Sequence, residues 1–408
     1  MESHPNQKQG LHSRLGISPT AVIIMTTFVD MIGFGMIIPL LPFHPQTVEA
    51  GALALGILVG SFSLMQFIFS PILGRLSDKV GRRPVILLSI LSSAVSFIIF
   101  ALADSFAFLL LSRIAAGMAT EAGVAQAYIA DITEEHERTS GMGKVGAANG
   151  AGFIIGPALG GLLSIYGFSA TGYAAAALTA VNFVFAFFFL PESNSRKHVD
   201  TETVGKQGGY WRRLLSAITN PALGIVFLIA FIVIFAFSAI PVLAPLLGQS
   251  YFGFAELEMS YVFMYIGCIQ IILQGFLMGR FTKRWGEGNL IIIGTLSMAT
   301  GVFCLPLFQN IISFFITLTM MSSGIGTLNT VLPSFISKRA PPDKQGGILG
   351  VAQSVGSIAR IPGPLVAGVI ADFAGLTVAF MVSALIVFVG FVLGLKVFSE
   401  EKHGEPTN

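Results

Sequence analysis

The sequence predicts an all-α membrane protein of twelve transmembrane helices in two pseudo-symmetric six-helix bundles. Three observations lead there. Of 408 residues, 54% are hydrophobic and 11% charged, with mean hydropathy +0.80, too apolar for an ordinary soluble domain. Apolar stretches of about 20 residues, the length of one helical crossing, recur along the whole chain without the alternation of a barrel strand. The glycines and cations of the first half return about 205 residues later.

Span 1, Thr20–Phe43, contains Asp30 and ends in Pro39-Leu40-Leu41-Pro42. It is too long for the apolar core of a signal peptide and lacks a small-residue cleavage site. Spans 2 and 3, Leu53–Leu73 and Pro84–Ala103, flank a short basic loop, and spans 4 to 6 are Phe106–Ala130, Gly141–Leu163 and Thr171–Leu190. The longest polar segment, Pro191–Asn220, follows; its Tyr210-Trp211-Arg212-Arg213-Leu214-Leu215 portion reads as a short amphipathic helix at the interface. Spans 7 to 12 are Pro221–Leu247, Glu258–Gly279, Asn289–Phe308, Ile312–Ile336, Gly347–Ile370 and Thr377–Val397. The expected organisation is an N-terminal bundle over 1–190, a linker over 191–220 and a C-terminal bundle over 221–408.

Lys and Arg set the expected orientation. The loops after odd spans, His44–Ala52, Asp104–Ser105, Ser164–Ala170, Gly248–Leu257, Gln309–Asn310 and Ala371–Leu376, contain neither. The other loops and the termini hold nearly all of them, so both termini are expected to be cytoplasmic. Short loops suit a prokaryotic cytoplasmic membrane. The net charge of +2 follows from this asymmetry and points to no nucleic-acid partner. Cys268 and Cys304 fall in predicted spans and read as buried fillers rather than a disulfide or metal pair. No enzyme, metal or cofactor is expected, and without a nucleotide-binding segment ATP is not the expected energy source.

Gly74-Arg75 after span 2 matches Gly279-Arg280 after span 8, and Gly156-Pro157 in span 5 matches Gly363-Pro364 in span 11. The second copy has lost an acid: Thr282-Lys283-Arg284-Trp285-Gly286 stands where Ser77-Asp78-Lys79-Val80-Gly81 stood. A duplicated six-span unit, with a site expected at midplane between the halves, is a transporter architecture.

The charged side chains well inside spans are Asp30, Arg113, Glu121 and Arg360. Each costs roughly 2.5–3.5 kcal/mol at the bilayer centre and should face a cavity or a partner. Arg113, Gly117 and Glu121, four residues apart, form one helical stripe toward Tyr128. Arg113 and Glu121 then stand roughly 12 Å apart along the axis, too far for a simple ion pair. A carboxyl caught between burial and a cation can exchange a proton near neutral pH. Asp30 therefore reads either as a proton carrier with Arg113 as its switchable partner, or as half of a permanent pair locking spans 1 and 4. Glu121 reads as a second proton site or a recogniser of cationic substrate. Other cavity candidates are Gln126, Asn149, Asn182, Gln270, Gln274, Asn329 and Arg360, the last standing where the first half has Phe153; such polar groups serve equally as interhelical glue. Asp78 is expected against a helix N-terminus, and Arg82 opposite Asp131. Gly152, Gly156 and Gly160 give a flat stripe for close helix approach, with Pro157 as a kink.

Gly74–Arg83 reads G-x-L-x-D-x-x-G-R-R, with Gly74, Asp78, Gly81, Arg82 and Arg83 at the defining positions, and resembles the loop signature of the major facilitator superfamily. Ile32-Gly33, five residues, then Pro39-Leu40-Leu41-Pro42 is similar to the span-1 signature of its twelve-helix drug/proton antiporters. Arg113-Ile114-Ala115-Ala116-Gly117 is similar to their second motif, whose Arg is implicated in proton transfer. Gly143, eight residues, Gly152, three residues, Gly156-Pro157, two residues, Gly160-Gly161 resembles the antiporter motif, which symporters of the superfamily generally lack.

The chain is most similar to tetracycline/proton antiporters, through Gly74–Leu88, Ala127–Arg138 and Leu190-Pro191-Glu192-Ser193. Those carry a further acid in span 3, where this chain has Ser96, and another in span 9, where Asn289–Phe308 has none; Glu121 is also unusual among them. These departures point away from tetracycline itself. The resemblance implies a monomeric, proton-driven exporter of an amphiphilic small molecule or drug, of the kind that confers antibiotic resistance. It would work by rocking two bundles around a midplane cavity. Contacts of the Gly74–Arg83 loop would hold the outward-facing state, and the glycine motif would seal the leak. The alternative is an importer, exchanger or uniporter of an organic anion that uses Arg113 and Arg360. A non-transporting receptor on a degenerate carrier would have no need of Asp30 and Asp78.

Overall fold

A computed structural model describes residues 18–133, 135–193, 221–339 and 345–403, and among these there is helix and connection but no strand. The predicted segment Tyr210–Leu215 lies outside the described residues.

Helix α1, Pro19–Ile37, tightens into a 3-10 turn over Ile38–Phe43, where Pro39 and Pro42 remove backbone donors. Helix α2, Pro45–Val80, has 36 residues and breaks direction at Gly51 (φ +86°). At about 1.5 Å per residue it outreaches a hydrocarbon core of about 30 Å. Gly74–Lys79 therefore continue the helix instead of forming the expected turn, and Gly81 alone separates α2 from α3, Arg82–Ala101. Then come α4, Phe106–Met118; α5, Ala122–Ile132; α6, Glu135–Ser164; and α7, Phe168–Phe189.

The second half comprises α8, Pro221–Ser238; α9, Ile240–Phe252; α10, Glu256–Ile272; a π-turn over Leu273–Leu277; α11, Met278–Cys304; α12, Ile311–Arg339; α13, Gln345–Ala359; α14, Pro362–Ala374; and α15, Leu376–His403. Eleven apolar helical segments among the described residues are long enough to cross a membrane. One of them, Glu256–Cys304, runs 49 residues and changes direction at Gly286 (φ +74°). It holds two crossings, spans 8 and 9, which restores the count of twelve.

Spans 4, 7 and 11 are each split in two. Pro241 opens α9 and Pro362 opens α14, where a missing N–H costs nothing. Span 4 breaks without a proline, between Met118 and Ala122.

The chain groups into two compact units, Met1–Ile37 with Ile68–Lys197, and Ile38–Phe67 with His198–Asn408. The first part of α2, up to Phe67, thus packs with the second unit rather than with the rest of the N-terminal spans. The cause is close backbone contact: a Cβ on Gly56 would stand 2.5 Å from the Pro364 carbonyl, and one on Gly368 2.5 Å from that of Ala52. In the same unit the Asp372 carboxylate accepts from the Ala52 and Leu53 amides at 2.9 and 2.8 Å, just past the Gly51 bend.

In the first unit α6 lies along α1. A Cβ on Gly152 would meet the Phe28 carbonyl at 2.7 Å and one on Gly156 that of Ile32 at 2.6 Å, while Gly160 faces the Met36 carbonyl. An apolar cluster around Ile23, Ile86, Ala125 and Tyr128 packs the other side. Side chains such as Val181, Ile312, Phe373 and Leu385 stay exposed, as lipid-facing positions do in a membrane protein.

Candidate functional site

In the first unit, α1 presents Asp30, partly buried, with the Ser93 hydroxyl of α3 in hydrogen-bonding reach. Glu121 stands at the break between α4 and α5. Its side chain is 4% exposed, both carboxylate oxygens lack a hydrogen-bond partner, and the charge of Asp30 acts on it. Span 4 is therefore not one continuous helix, and the stripe expected from Arg113 through Gly117 to Glu121 is interrupted before it reaches the acid.

Nor is Arg113 paired with Asp30. The guanidinium, 1% exposed, sits 5.7 Å from the Phe100 ring centroid, its Nε donates to Ser112 Oγ at 3.3 Å, and its two terminal nitrogens have no hydrogen-bond partner among the described residues. The ring face, a weak cation site, takes the place of the expected carboxylate. Asn182 donates to the Thr26 carbonyl at 3.0 Å and so ties α7 to α1. Ser96 donates to the Ser93 carbonyl at 2.7 Å. A buried carboxyl, a partly buried one and a guanidinium without a carboxylate are costly as separate charges; a proton, a bound cation or a rearranged pairing relieves them.

A second cluster lies at the signature end of the same unit. Arg82 Nε donates to Asp131 at 2.9 Å, and its Nη1 reaches Asp78 and Ser77 Oγ, both at 2.6 Å. Asp78 thus holds an arginine, and at the start of α3 the anion is a different one. Glu192 accepts from the Arg82 amide at 2.8 Å and the Arg83 amide at 3.2 Å. Around it Tyr128 donates to the Pro191 carbonyl at 2.9 Å, Ser193 to Asp131 at 3.2 Å and Arg83 to the Phe187 carbonyl at 2.5 Å. Glu192 is the residue that sequence reasoning missed; an acid directly after the proline that ends span 6 was the signal. Gly74 and Gly143 have open space where a side chain would go, whereas Gly161 is buried.

In the second unit Arg360 is exposed at the join of α13 and α14, mid-span. Gln274 is exposed in the π-turn, Asn329 is exposed on α12, and Gln270 is partly buried on α10. In the first unit Gln126 is exposed on α5 and Asn149 partly buried on α6. Arg360, a charge left open in the middle of an apolar span, calls for water or a ligand, not lipid. Glu287, just past Gly286, accepts from Ser334 at 2.5 Å and pairs with Lys338 at 2.8 Å. Cys268 and Cys304 are free thiols.

The family model described as Major Facilitator Superfamily matches residues 23–364 and 275–408. Multidrug resistance protein 2 of Bacillus subtilis (strain 168) is 29% identical over 393 residues, covering 94% of this chain and 96% of that protein. The class C tetracycline resistance protein of Escherichia coli is 32% identical over 354 residues, covering 85% and 87%. The crystal structure of the human organic anion transporter MFSD10 (TETRAN) has a TM-score of 0.68 at 24% identity, covering 95% of this chain and all of that one; at this identity the likeness speaks for the fold alone. With motif, helices and relatives in agreement, the chain belongs to the major facilitator superfamily, beside its tetracycline and multidrug resistance proteins, and is a multi-pass membrane transporter rather than an enzyme.

Proposed function

We propose that the protein exports an amphiphilic small molecule across the cytoplasmic membrane in exchange for protons, by alternating access. One observation carries this reading: Glu121 is buried in the first unit with no cation paired to it among the described residues, and the partly buried Asp30 is within electrostatic reach. Such acids suit a group that is charged in one stage of a cycle and neutral in another. Asp30, the more accessible, takes and releases the proton; Glu121 meets a cationic substrate or a second proton. The drug-resistance relatives support export. One proton moving down about 100 mV releases roughly 2.3 kcal/mol, enough for a solute gradient of about fiftyfold.

The test is purified protein in liposomes with an imposed pH gradient, screening cationic, neutral and anionic amphiphiles. Asp30→Asn is expected to abolish uphill movement while leaving downhill exchange measurable. Uphill transport that survives the substitution removes Asp30 from the role. The second reading, exchange of an organic anion, draws on the unpartnered Arg113 nitrogens and the exposed mid-span Arg360. It takes over if only anions move or if movement ignores the gradient.

A further inference from the structure

Helix α3 begins without a side-chain cap of its own, because its N-cap is Gly81. The first turn of a helix has free N–H groups and a partial positive charge, so it favours an anion. Glu192, 110 residues along the chain from Arg82, supplies that anion, one oxygen to each of two successive amides. Gly81 makes the approach possible in two ways. Its φ of +106° is one that residues with a side chain rarely adopt, and a Cβ there would stand 2.5 Å from Glu192 Oε2. Arg82, whose amide is held, is also the residue whose guanidinium joins Asp78, Ser77 and Asp131. The 191–193 segment is fastened at both neighbours of Glu192, by Tyr128 at Pro191 and by Ser193 at Asp131.

We propose that Glu192 is a positioning residue of the transport cycle: clamped on the first turn of α3 in the seat left by Gly81, it fixes the aim of Arg82 toward Asp78 and Asp131 and ties the entry of the linker to that cluster. The signature glycine is then kept for the carboxylate it admits as well as for its backbone angle. The same device occurs once more, where Asp372 holds the Ala52 and Leu53 amides after Gly51. In both places a positive-φ glycine is followed by two amides on one distant carboxylate.

This inference rests on the chain being a transporter, and its test has one arm that does not need transport. Hydrogen exchange on the full-length protein would follow the Arg82 and Arg83 amides in wild type, Glu192→Gln and Glu192→Ala. About tenfold faster exchange is expected in Glu192→Ala, with Glu192→Gln between, because a charge-assisted bond is lost or weakened. In liposomes, downhill flux of a fluorescent amphiphilic cation is expected to lose maximal rate about tenfold while KM stays unchanged, and Glu192→Asp should recover part of it. In a double-mutant cycle Gly81→Ala with Glu192→Ala should do no more harm than the worse single substitution. Unchanged exchange at Arg82 and Arg83, an unchanged rate, or strictly additive effects would each overturn the proposal. If the wild-type protein moves no probe at all, the export reading fails separately, and the clamp is judged on hydrogen exchange alone.

Discussion

The two halves of the chain solve one problem with opposite charges. After Gly81 stands Arg82, which reaches across to Asp131 near the end of α5; after Gly286, 205 residues on, stands Glu287, which reaches across to Lys338 at the end of α12. Both glycines have positive φ, and both bridging side chains also take a serine hydroxyl, Ser77 in one half and Ser334 in the other. Duplication has kept the backbone break and the helix-to-helix reach, while the signs of the partners have been exchanged. The settings differ too. Arg82 and Glu287 are alike shielded, at 11% and 10% exposed, but Arg82 is shared by two carboxylates, Asp78 and Asp131, whereas Glu287 pairs among the described residues with Lys338 alone, which is 66% exposed. A pair whose cation stays in solvent contributes about 0–1 kcal/mol, and without Lys338 the Ser334 hydroxyl still bonds Glu287, whereas loss of Arg82 leaves two carboxylates without their shared cation. The first bridge is therefore the one expected to matter for turnover.

The largest effect should come from giving the first half the charge of the second. Arg82→Glu leaves Asp78, Asp131 and Glu192 facing a fourth carboxylate, and transport in liposomes should fall about a hundredfold or more. Adding Asp131→Lys should restore only part, because Asp78 and Glu192 keep their sign; full recovery would mean that the Arg82–Asp131 pair acts alone. Next in size is the glycine itself. Gly81→Ala forces a side chain into a positive-φ position and against Glu192, costing about 2 kcal/mol in thermal stability in detergent. Gly286→Ala meets no neighbour and should cost about 1 kcal/mol, for the backbone angle only. Equal losses at the two sites would show that the carboxylate adds nothing. The smallest effect is expected for Lys338→Ala, which should stay within about 1 kcal/mol and change the transport rate about twofold at most.

Much of the fold was legible because membrane spans are long and one-dimensional: apolar length marked each crossing, and the fourfold spacing of Gly152, Gly156 and Gly160 marked a close contact before the partner helix was known. Breaks in spans 7 and 11 follow from Pro241 and Pro362, which any reader of the sequence can see. The break at Glu121 has no proline to announce it, so the stripe through Arg113 was drawn on a helix that does not continue. The site was less legible still. Periodicity places a residue on a face but does not say which group waits opposite, and so Ser93 rather than Arg113 stands beside Asp30. Glu192 and the first turn of α3 are separated by 110 residues, and no local pattern joins them. The loop signature holds two glycines, yet only Gly81 has a positive φ, so the helix runs on through Gly74.

The carbonyls that face Gly152, Gly156 and Gly160 belong to Phe28, Ile32 and Met36, four residues apart like the glycines themselves. The numbers rise together, so α1 and α6 run parallel and mesh like two racks of equal pitch. A slip of one residue would bring side chains into the slots, and the next matching register is four residues away, about 6 Å. Asp30 lies between the first two teeth. The height of that carboxyl in the membrane is thus set by three side chains missing from another helix, and enlarging any one of them would move the acid without touching it.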